Sequence, residues 1–197
     1  MPDPVVDLSA MLAAAASGDE HAWRGIVNLY ARRVFALARS RVRQADVAEE
    51  VTQSVFATVA TKLRDGGYTD RGRFEQWLFR IAMNRVRDEI RRVRRQATVT
   101  DPEQFSSIAG ALPSSSASPR ESADSVAQLR GALEHLTTAD REVIELRHHA
   151  GLTFNQIADV LEEPLGTLLA RHHRALRKLK DLLTPPSTSA AALHPEA

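Results

Sequence analysis

Arginine recurs along one side of a predicted helix in the first half of the chain. Residues 71–95 hold nine Arg and three acidic residues, whereas an ordinary solvated helix face mixes both signs in ion pairs. At about 100° per residue, seven polar side chains fall within roughly 80° of one another. This arginine face consists of Arg73, Gln76, Arg80, Asn84, Arg87, Arg91 and Arg94. Because guanidinium groups pair with phosphates and base edges, and an amide can read a base, the pattern predicts contact with nucleic acid.

The last predicted helix presents a second basic surface, which we call the recognition face. It consists of Thr167, Leu169, Ala170, Arg171, His173, Arg174 and Arg177. The three arginines suit phosphates, while Leu169 and Ala170 offer only apolar contacts, for example to a thymine methyl group. Thr167 can cap the helix or donate to a phosphate, and both roles stay open.

Catalytic chemistry has little support in this sequence. The chain has no Cys, which excludes a thiolate nucleophile, a Cys-ligated zinc and a disulfide framework. It also lacks a Gly-rich phosphate loop, a Ser nucleophile on a strand turn and carboxylates at metal-binding spacing. His148-His149 and His172-His173 could hold zinc only if folding brought one residue of each pair together. We therefore expect no enzyme activity, no cofactor and no metal, and keep a helical metal hydrolase as an alternative.

The N-terminal apolar stretch at residues 8–16 does not predict a membrane segment. It is interrupted by Ser9 and preceded by Asp3 and Asp7 without Lys or Arg, so it resembles neither a signal peptide nor a membrane span. We expect no membrane insertion and a cytoplasmic location, where a Cys-free chain is ordinary.

Apolar residues recur at three- and four-residue spacing, and no stretch alternates with period two, which predicts an all-α fold. In the first half the predicted helices cover Val5–Ala16, Trp23–Ala38, Val47–Leu63 and 71–95. Within the last of these, Phe74 and Trp77 are expected in the core, with stacking on unpaired bases as the alternative. Gly66-Gly67 breaks the chain before it. These elements predict a bundle of three or four helices.

The second half has the pattern of a helix-turn-helix. One helix is predicted near Val126–His135 and another after Thr137 or Thr138. Gly151 predicts the end of a helix. Thr153 with Gln156 forms a capping-box pattern for the next helix. Pro164 suits the first turn of a longer basic helix. The side chains predicted to face inward on that helix are Leu168, Ala175, Leu176, Leu179 and Leu183.

Charge and composition divide the chain into segments. Residues 1–95 hold 17 basic and 12 acidic residues, whereas 96–125 hold one basic and four acidic residues. The latter include a Pro- and Ser-rich stretch that cannot build a core. The predicted organisation is a helical domain over 1–95, a flexible acidic linker over 96–125, a helix-turn-helix domain over 126–183 and a disordered tail over 184–197.

The predicted helix that begins near residue 46 carries a mixed polar and apolar face. We call Asp46, Glu49, Glu50, Gln53 and Phe56 the docking face. The helix dipole stabilises carboxylates in the first turn whether or not they touch a partner. Gln53 and Phe56, beside the valine series, also suit docking on a partner helix. The residues leave both interpretations open.

Four segments, in this order, resemble the extracytoplasmic-function (ECF) sigma factors of bacterial RNA polymerase. They are Asp46-Val47-Ala48-Glu49-Glu50-Val51-Thr52-Gln53-Ser54-Val55-Phe56; Phe74-x-x-Trp77-Leu78-x-x-Ile81-Ala82-x-Asn84-x-x-x-Asp88; Gly151-Leu152-Thr153-x-x-Gln156-Ile157-Ala158; and Pro164-Leu165-Gly166-Thr167 with Arg171 and Arg174-Ala175-Leu176. The resemblance covers nearly the whole chain apart from the predicted linker and tail.

The resemblance implies two small helical domains, regions 2 and 4 of sigma factors, joined by a flexible linker. It implies that the docking face binds the clamp of the largest subunit of core RNA polymerase. It also implies that the arginine face opens the −10 promoter element and holds its non-template strand, and that the recognition face binds the −35 element as duplex. The linker is expected to mimic nucleic acid in a polymerase channel. An anti-sigma protein is a further expected partner.

Distance sets a condition on promoter binding. Two elements about two helical turns apart are on the order of 70 Å apart at about 34 Å per turn. A linker of about 30 residues reaches at most about 100 Å and averages roughly 30 Å as a free coil. We therefore expect the free chain to bind promoter DNA weakly.

One segment departs from the family pattern. After Gly166-Thr167 the family usually has a branched apolar residue, often followed by a basic residue and Ser, where this chain has Leu168, Leu169 and Ala170. The alternative function is a stand-alone helix-turn-helix regulator whose first domain senses a ligand or dimerises. Such a protein would bind duplex DNA tightly without polymerase.

Overall fold

The computed structural model describes residues 7–42, 44–99 and 119–184. Within these ranges the chain forms eight α-helices and no strand. They are α1 (Leu8–Ala16), α2 (Glu20–Arg41), α3 (Ala45–Arg64), α4 (Phe74–Val99), α5 (Pro119–Glu134), α6 (Thr138–His148), α7 (Phe154–Leu161) and α8 (Leu165–Leu183). The predicted all-α fold is confirmed, with α1–α4 as the first module and α5–α8 as the second. The Pro- and Ser-rich part of the predicted linker and the tail from residue 185 lie outside the described residues.

The starts of α4 and α5 differ from those predicted. α4 starts at Phe74 rather than at residue 71, because Gly72 has a φ of +70° and donates its N–H to the Asp70 carboxylate at 2.9 Å. Arg73 of the arginine face therefore lies in the loop before α4. α5 starts at Pro119 instead of near residue 126. Proline is favoured in the first turn of a helix, which suits this start. Helix thus replaces the end of the predicted linker.

The first module has the core that its apolar spacing predicts. The valine series is buried from Val51 through Leu63, and Phe74 is 1% exposed. Trp77 packs at the edge of this core, with its ring centroid 4.4 Å from that of Tyr68. Phe79 and Met83 are also buried, although the sequence did not single them out.

The local signals of the second module are confirmed. Thr137 caps α6 by accepting from the Asp140 N–H at 3.1 Å. Gly151 has a φ of +70° between α6 and α7, a conformation that glycine adopts without strain. Thr153 and Gln156 form the complete capping box of α7.

The longest helix of the second module, α8, differs from prediction in two respects. Leu168, Ala175 and Leu179 are buried as expected, but Leu176 and Leu183 are 44% and 39% exposed. Leu176 lies about 100° around the helix from Ala175, and Leu183 is the last residue of α8. Pro164 is the N-cap rather than a member of the first turn.

The two modules pack against each other. One buried cluster contains Leu37 and Phe79 from the first module and Val143, Leu146 and Ile157 from the second. α4 contacts α7, and α2 contacts α6. Helix α4 is thereby covered on two sides, which explains why Phe79 and Met83 are buried beyond its predicted apolar stripe. Among the described helices, none combines the length and apolar character needed to cross a membrane.

Candidate nucleic-acid interface

The residues of the arginine face have unequal surroundings. Arg73, Asn84, Arg91 and Arg94 are exposed, and Gln76 is half-buried. Arg91 pairs with Asp88, one turn earlier, at 3.3 Å. Arg80 is also exposed and Arg87 is half-buried, and both contact groups of the second module. The six residues of the predicted face that lie within α4 share one side of the helix, and Arg73 lies in the loop before it.

Arg80 and Arg87 are both bound by groups of the second module. Arg87 forms a bidentate pair with Glu142, at 3.0 Å from Nε and 2.8 Å from Nη2. Hydrogen bonding to Glu142 raises the pKa of the Arg87 guanidinium above its usual value. Arg80 pairs with Glu162 at 2.8 Å and donates to the backbone carbonyl of Asp159. Carboxylates thus occupy the guanidinium groups that the sequence assigns to phosphate.

The recognition face lies largely open on α8. Thr167, Leu169, Ala170, His173 and Arg177 are exposed. Arg177 approaches the Nε2 atom of His173 at 3.3 Å, and Arg171 pairs with Glu163 at 2.6 Å. An exposed basic helix after a capped short helix is the geometry with which helix-turn-helix proteins enter a major groove.

Arg174 has a structural partner in addition to its predicted contact with DNA. Its guanidinium donates to both carboxylate oxygens of Asp140, at 2.8 and 3.3 Å. Asp140 is 4% exposed, and hydrogen bonding from Arg174 lowers the pKa of its carboxyl group. Removing Arg174 would leave a buried carboxylate with less compensation. This arginine therefore helps to join α6 and α8.

The docking face is open at four of its five residues. Asp46, Glu49, Glu50 and Gln53 are exposed at the start of α3, where the N-terminal dipole stabilises carboxylates. Phe56 is 6% exposed and packs edge-on to Trp23, with centroids 6.1 Å apart. Its assignment to a partner contact is wrong, because the ring belongs to the core.

A different phenylalanine lies beside the docking face. Phe35 of α2 is half-buried and, with Ala31 and Arg32, lines a shallow groove next to Glu49 and Gln53. The spacing within α3 could not identify it, because it comes from the neighbouring helix. The groove therefore offers, next to the docking face, the apolar surface that the sequence predicts at Phe56.

Two family models match the chain. Sigma-70 region 2 matches residues 26–96, which include the docking and arginine faces. Sigma-70 region 4 matches residues 132–181, which include the recognition face. The ECF RNA polymerase sigma factor SigD of Mycobacterium tuberculosis (strain ATCC 25618 / H37Rv) is 35% identical over 182 residues, covering 88% of this chain and 82% of SigD. This chain belongs to the ECF RNA polymerase sigma factors.

Solved structures agree with the sigma-factor fold. CnrH, solved in complex with the cytosolic domain of CnrY, is 29% identical with a TM-score of 0.65, over 90% of this chain and 97% of CnrH. RpoE of Bartonella quintana, solved with the anti-sigma factor NepR, has a TM-score of 0.67 at 23% identity, over 81% of this chain and 95% of RpoE. The predicted family and fold are therefore confirmed.

Folding of the sigma factor brings together one histidine from each pair. The Nε2 atoms of His148 and His172 lie 3.3 Å apart, with nearly parallel rings. Phe154 packs edge-on against His172. Among the described residues, however, no group of three His, Cys, Asp or Glu side chains could hold a metal ion. The pair is a packing contact between α6 and α8.

Acidification is expected to destabilise the second module of the sigma factor. Burial lowers the pKa of His149, and burial with positive neighbours (His148, Arg147 and His173) lowers that of His172. Between their lowered values and the ordinary value of about 6.5, the unfolded chain binds more protons than the folded chain. The free energy of unfolding therefore falls as pH drops through this window.

Thermal unfolding recorded from about pH 7.5 down to about pH 5 checks this expectation. His149→Gln with His172→Gln should flatten the dependence, whereas His21→Gln, at an exposed position of α2, should leave it unchanged. An equally steep dependence in the double variant would contradict it.

Proposed function

We propose that this sigma factor directs core RNA polymerase to two-part promoters and assists strand opening, without catalysing a reaction itself. The observation that carries the proposal is the presence of two different basic faces on one chain, each within a matched sigma-70 region. A long helix with Arg and Asn suits an unpaired strand. A helix-turn-helix suits duplex DNA.

In this proposal the arginine face holds the −10 element, with Arg80, Asn84 and Arg87 at its centre. The recognition face binds the −35 duplex, with Arg171, Arg174 and Arg177 on phosphates and Leu169 and Ala170 against base methyl groups. The first module, α1–α4, and the second, α5–α8, act as the two DNA-binding domains. The protein works where polymerase works, in the cytoplasm.

Asp46, Glu49, Glu50 and Gln53, together with the groove at Phe35, form the proposed contact with the clamp of the largest polymerase subunit. Exposed carboxylates next to an apolar groove suit a basic and apolar partner helix. CnrH, a similar protein, was solved with the cytosolic domain of CnrY, and RpoE of Bartonella quintana was solved with the anti-sigma factor NepR. On that likeness we include a protein inhibitor, an anti-sigma factor, among the partners.

Run-off transcription from a pool of genomic fragments tests the function. Core polymerase is used with and without the protein, and the 5′ ends of the transcripts are sequenced. New starts preceded by a shared two-part sequence at fixed spacing are expected. If no new starts appear and the protein fails to co-purify with core polymerase, the proposal is wrong. Tight binding of the protein alone to duplex DNA would then favour a stand-alone regulator.

A further inference from the structure

One side of the first two turns of α8 is apolar and exposed. Leu165 and Leu169 lie one turn apart and are 40% and 45% exposed. Gly166 and Ala170 beside them are exposed and carry no polar side-chain group. The N-terminal residues of a recognition helix are the ones that contact base edges. Leu165, Leu169 and Ala170, which we call the apolar tip, therefore offer methyl and methylene groups to the major groove.

The two arginines nearest the apolar tip are held at the flank of the helix. Arg171 lies about 160° around α8 from Leu169, and its guanidinium pairs with Glu163 at 2.6 Å. Arg174 lies about 140° from Leu169 and donates to both carboxylate oxygens of Asp140, at 2.8 and 3.3 Å. Guanidinium groups fixed in this way suit backbone phosphates, which carry no direct sequence information.

The other polar side chains near the apolar tip do not share the base pair that Leu169 reaches. Thr167 lies about 160° from Leu169, on the side of Arg171. His173 is one turn beyond Leu169, about 6 Å along the helix at about 1.5 Å per residue, and its Nε2 atom lies 3.3 Å from an Arg177 nitrogen. Base pairs stack about 3.4 Å apart, so His173 reaches a different base pair. The contact of Leu169 with its own base pair is therefore apolar.

Pyrimidines differ in the major groove by a methyl group and one polar group. Thymine presents a C5 methyl group and the O4 acceptor, whereas cytosine presents the N4 amino donor. A leucine side chain gains stability by covering a methyl group, but it cannot distinguish an acceptor from a donor by hydrogen bonding. The methyl group of 5-methylcytosine is at the same C5 position as that of thymine. A leucine that reads thymine therefore also accepts 5-methylcytosine.

We propose that the apolar tip recognises C5 methyl groups of pyrimidines, so that Leu169 selects thymine in the −35 element and 5-methylcytosine replaces that thymine without loss of the contact. The proposal rests on the proposed function, since it assigns α8 to −35 duplex DNA. It deepens that function by naming the chemical group that sets specificity. Methylation of a cytosine at the contacted position strengthens recognition by this sigma factor.

Methyl groups can be removed or added one base type at a time to test the proposal. The probe is a promoter fragment mapped by run-off transcription, with its −35 element replaced by a window of random sequence. Windows containing ordinary bases, deoxyuridine in place of thymidine, or 5-methyldeoxycytidine in place of deoxycytidine are ligated into otherwise ordinary DNA. Holoenzyme reconstituted with the full chain selects fragments by binding, and the bound windows are sequenced.

Thymine is expected to be enriched at one or more positions of the ordinary window. Deoxyuridine should lower that enrichment about fourfold at each contacted position, the ratio that corresponds to burial of one methylene-sized group. 5-Methylcytosine should become enriched by a similar factor at the same positions, where ordinary cytosine is not. Unchanged enrichment with deoxyuridine, or no gain with 5-methylcytosine, would overturn the methyl readout.

Variants of exposed leucines on α8 assign the effect to the apolar tip. Leu169→Ala should lower the thymine preference and remove the response to deoxyuridine. Leu176→Ala is the matched control, because Leu176 is 44% exposed and lies on nearly the same side of α8, about two turns further from its start. It should select like the unchanged protein. Leu169→Arg should replace the thymine preference with guanine, whose N7 and O6 atoms arginine binds.

Equal effects of the two alanine variants would contradict the assignment to the apolar tip. So would a Leu169→Ala protein that binds core polymerase more weakly but keeps its thymine preference, because the surface would then bind protein instead of DNA.

The same experiment separates failure of the methyl readout from failure of the proposed function. If run-off transcription maps no promoter, the proposed function fails and the methyl readout fails with it. If a promoter is mapped and the window shows a sequence preference without a response to methyl groups, only the methyl readout fails. If the window shows no sequence preference, the assignment of α8 to the −35 element fails as well.

Discussion

Replacing Arg80 and Arg87 together with alanine is expected to slow promoter opening by the holoenzyme about 100-fold or more. A hydrogen-bonded charged group contributes about 1.5–3 kcal/mol, and about 1.4 kcal/mol corresponds to a tenfold change in rate. Both arginines lie at the centre of the arginine face, so two of the proposed contacts to the non-template strand would be lost. Permanganate reactivity of unpaired thymines, followed over time, measures the rate.

The controls for this experiment separate strand opening from duplex binding. Arg24→Ala, an exposed arginine of α2, should leave opening unchanged. Arg177→Ala should weaken binding to −35 duplex and lower the salt dependence by about one phosphate contact, with a smaller effect on opening. Arg174 is less suitable, because its loss also affects the buried Asp140. Equal effects of the Arg80 and Arg87 pair and of Arg177 on both steps would contradict the division of roles.

Features that depend on neighbouring residues could be predicted from the sequence. The capping box of Thr153 and Gln156 involves residues three apart, and the valine series of α3 repeats every four residues. Helix formation, the turn of the helix-turn-helix and the two basic faces follow from such short-range patterns. The start of α5 at Pro119 was missed, because Ser, Asp and Glu near a proline also fit a linker.

Features that depend on distant residues could not be predicted in this way. Phe56 and Phe35 both flank the predicted surface, and packing in the core, including the contact with Trp23, buries Phe56. Phe79 and Met83 lie between the apolar stripe and the arginine face, and the second module covers them. Arg87 and Glu142 are 55 residues apart in sequence, so no helical spacing links them. The faces were predictable, whereas the groups bound to them were not.

The docking face carries the second large expected effect. Glu49→Lys with Gln53→Lys should weaken binding to core polymerase about 100-fold or more, because the loss of a hot-spot residue at the centre of an interface costs about 2 kcal/mol or more. Reversed charge would also repel a basic partner surface. Both side chains are exposed on α3, so the melting temperature should stay unchanged. Co-purification with tagged core enzyme and a titration of labelled protein measure the loss.

Lys62→Glu, with Lys62 exposed near the other end of α3, is the matched control and should bind core polymerase normally. Phe35→Ala should also weaken binding, although some loss of stability is expected because Phe35 packs against the buried residues around Val42 and Val51. Normal co-purification of the Glu49 and Gln53 variant would contradict the proposal that this face binds core polymerase. The predicted DNA-binding faces would be unaffected by that result, because one lies on α8 and the other on α4 and the loop before it. The clamp contact would then have to be sought elsewhere on the first module.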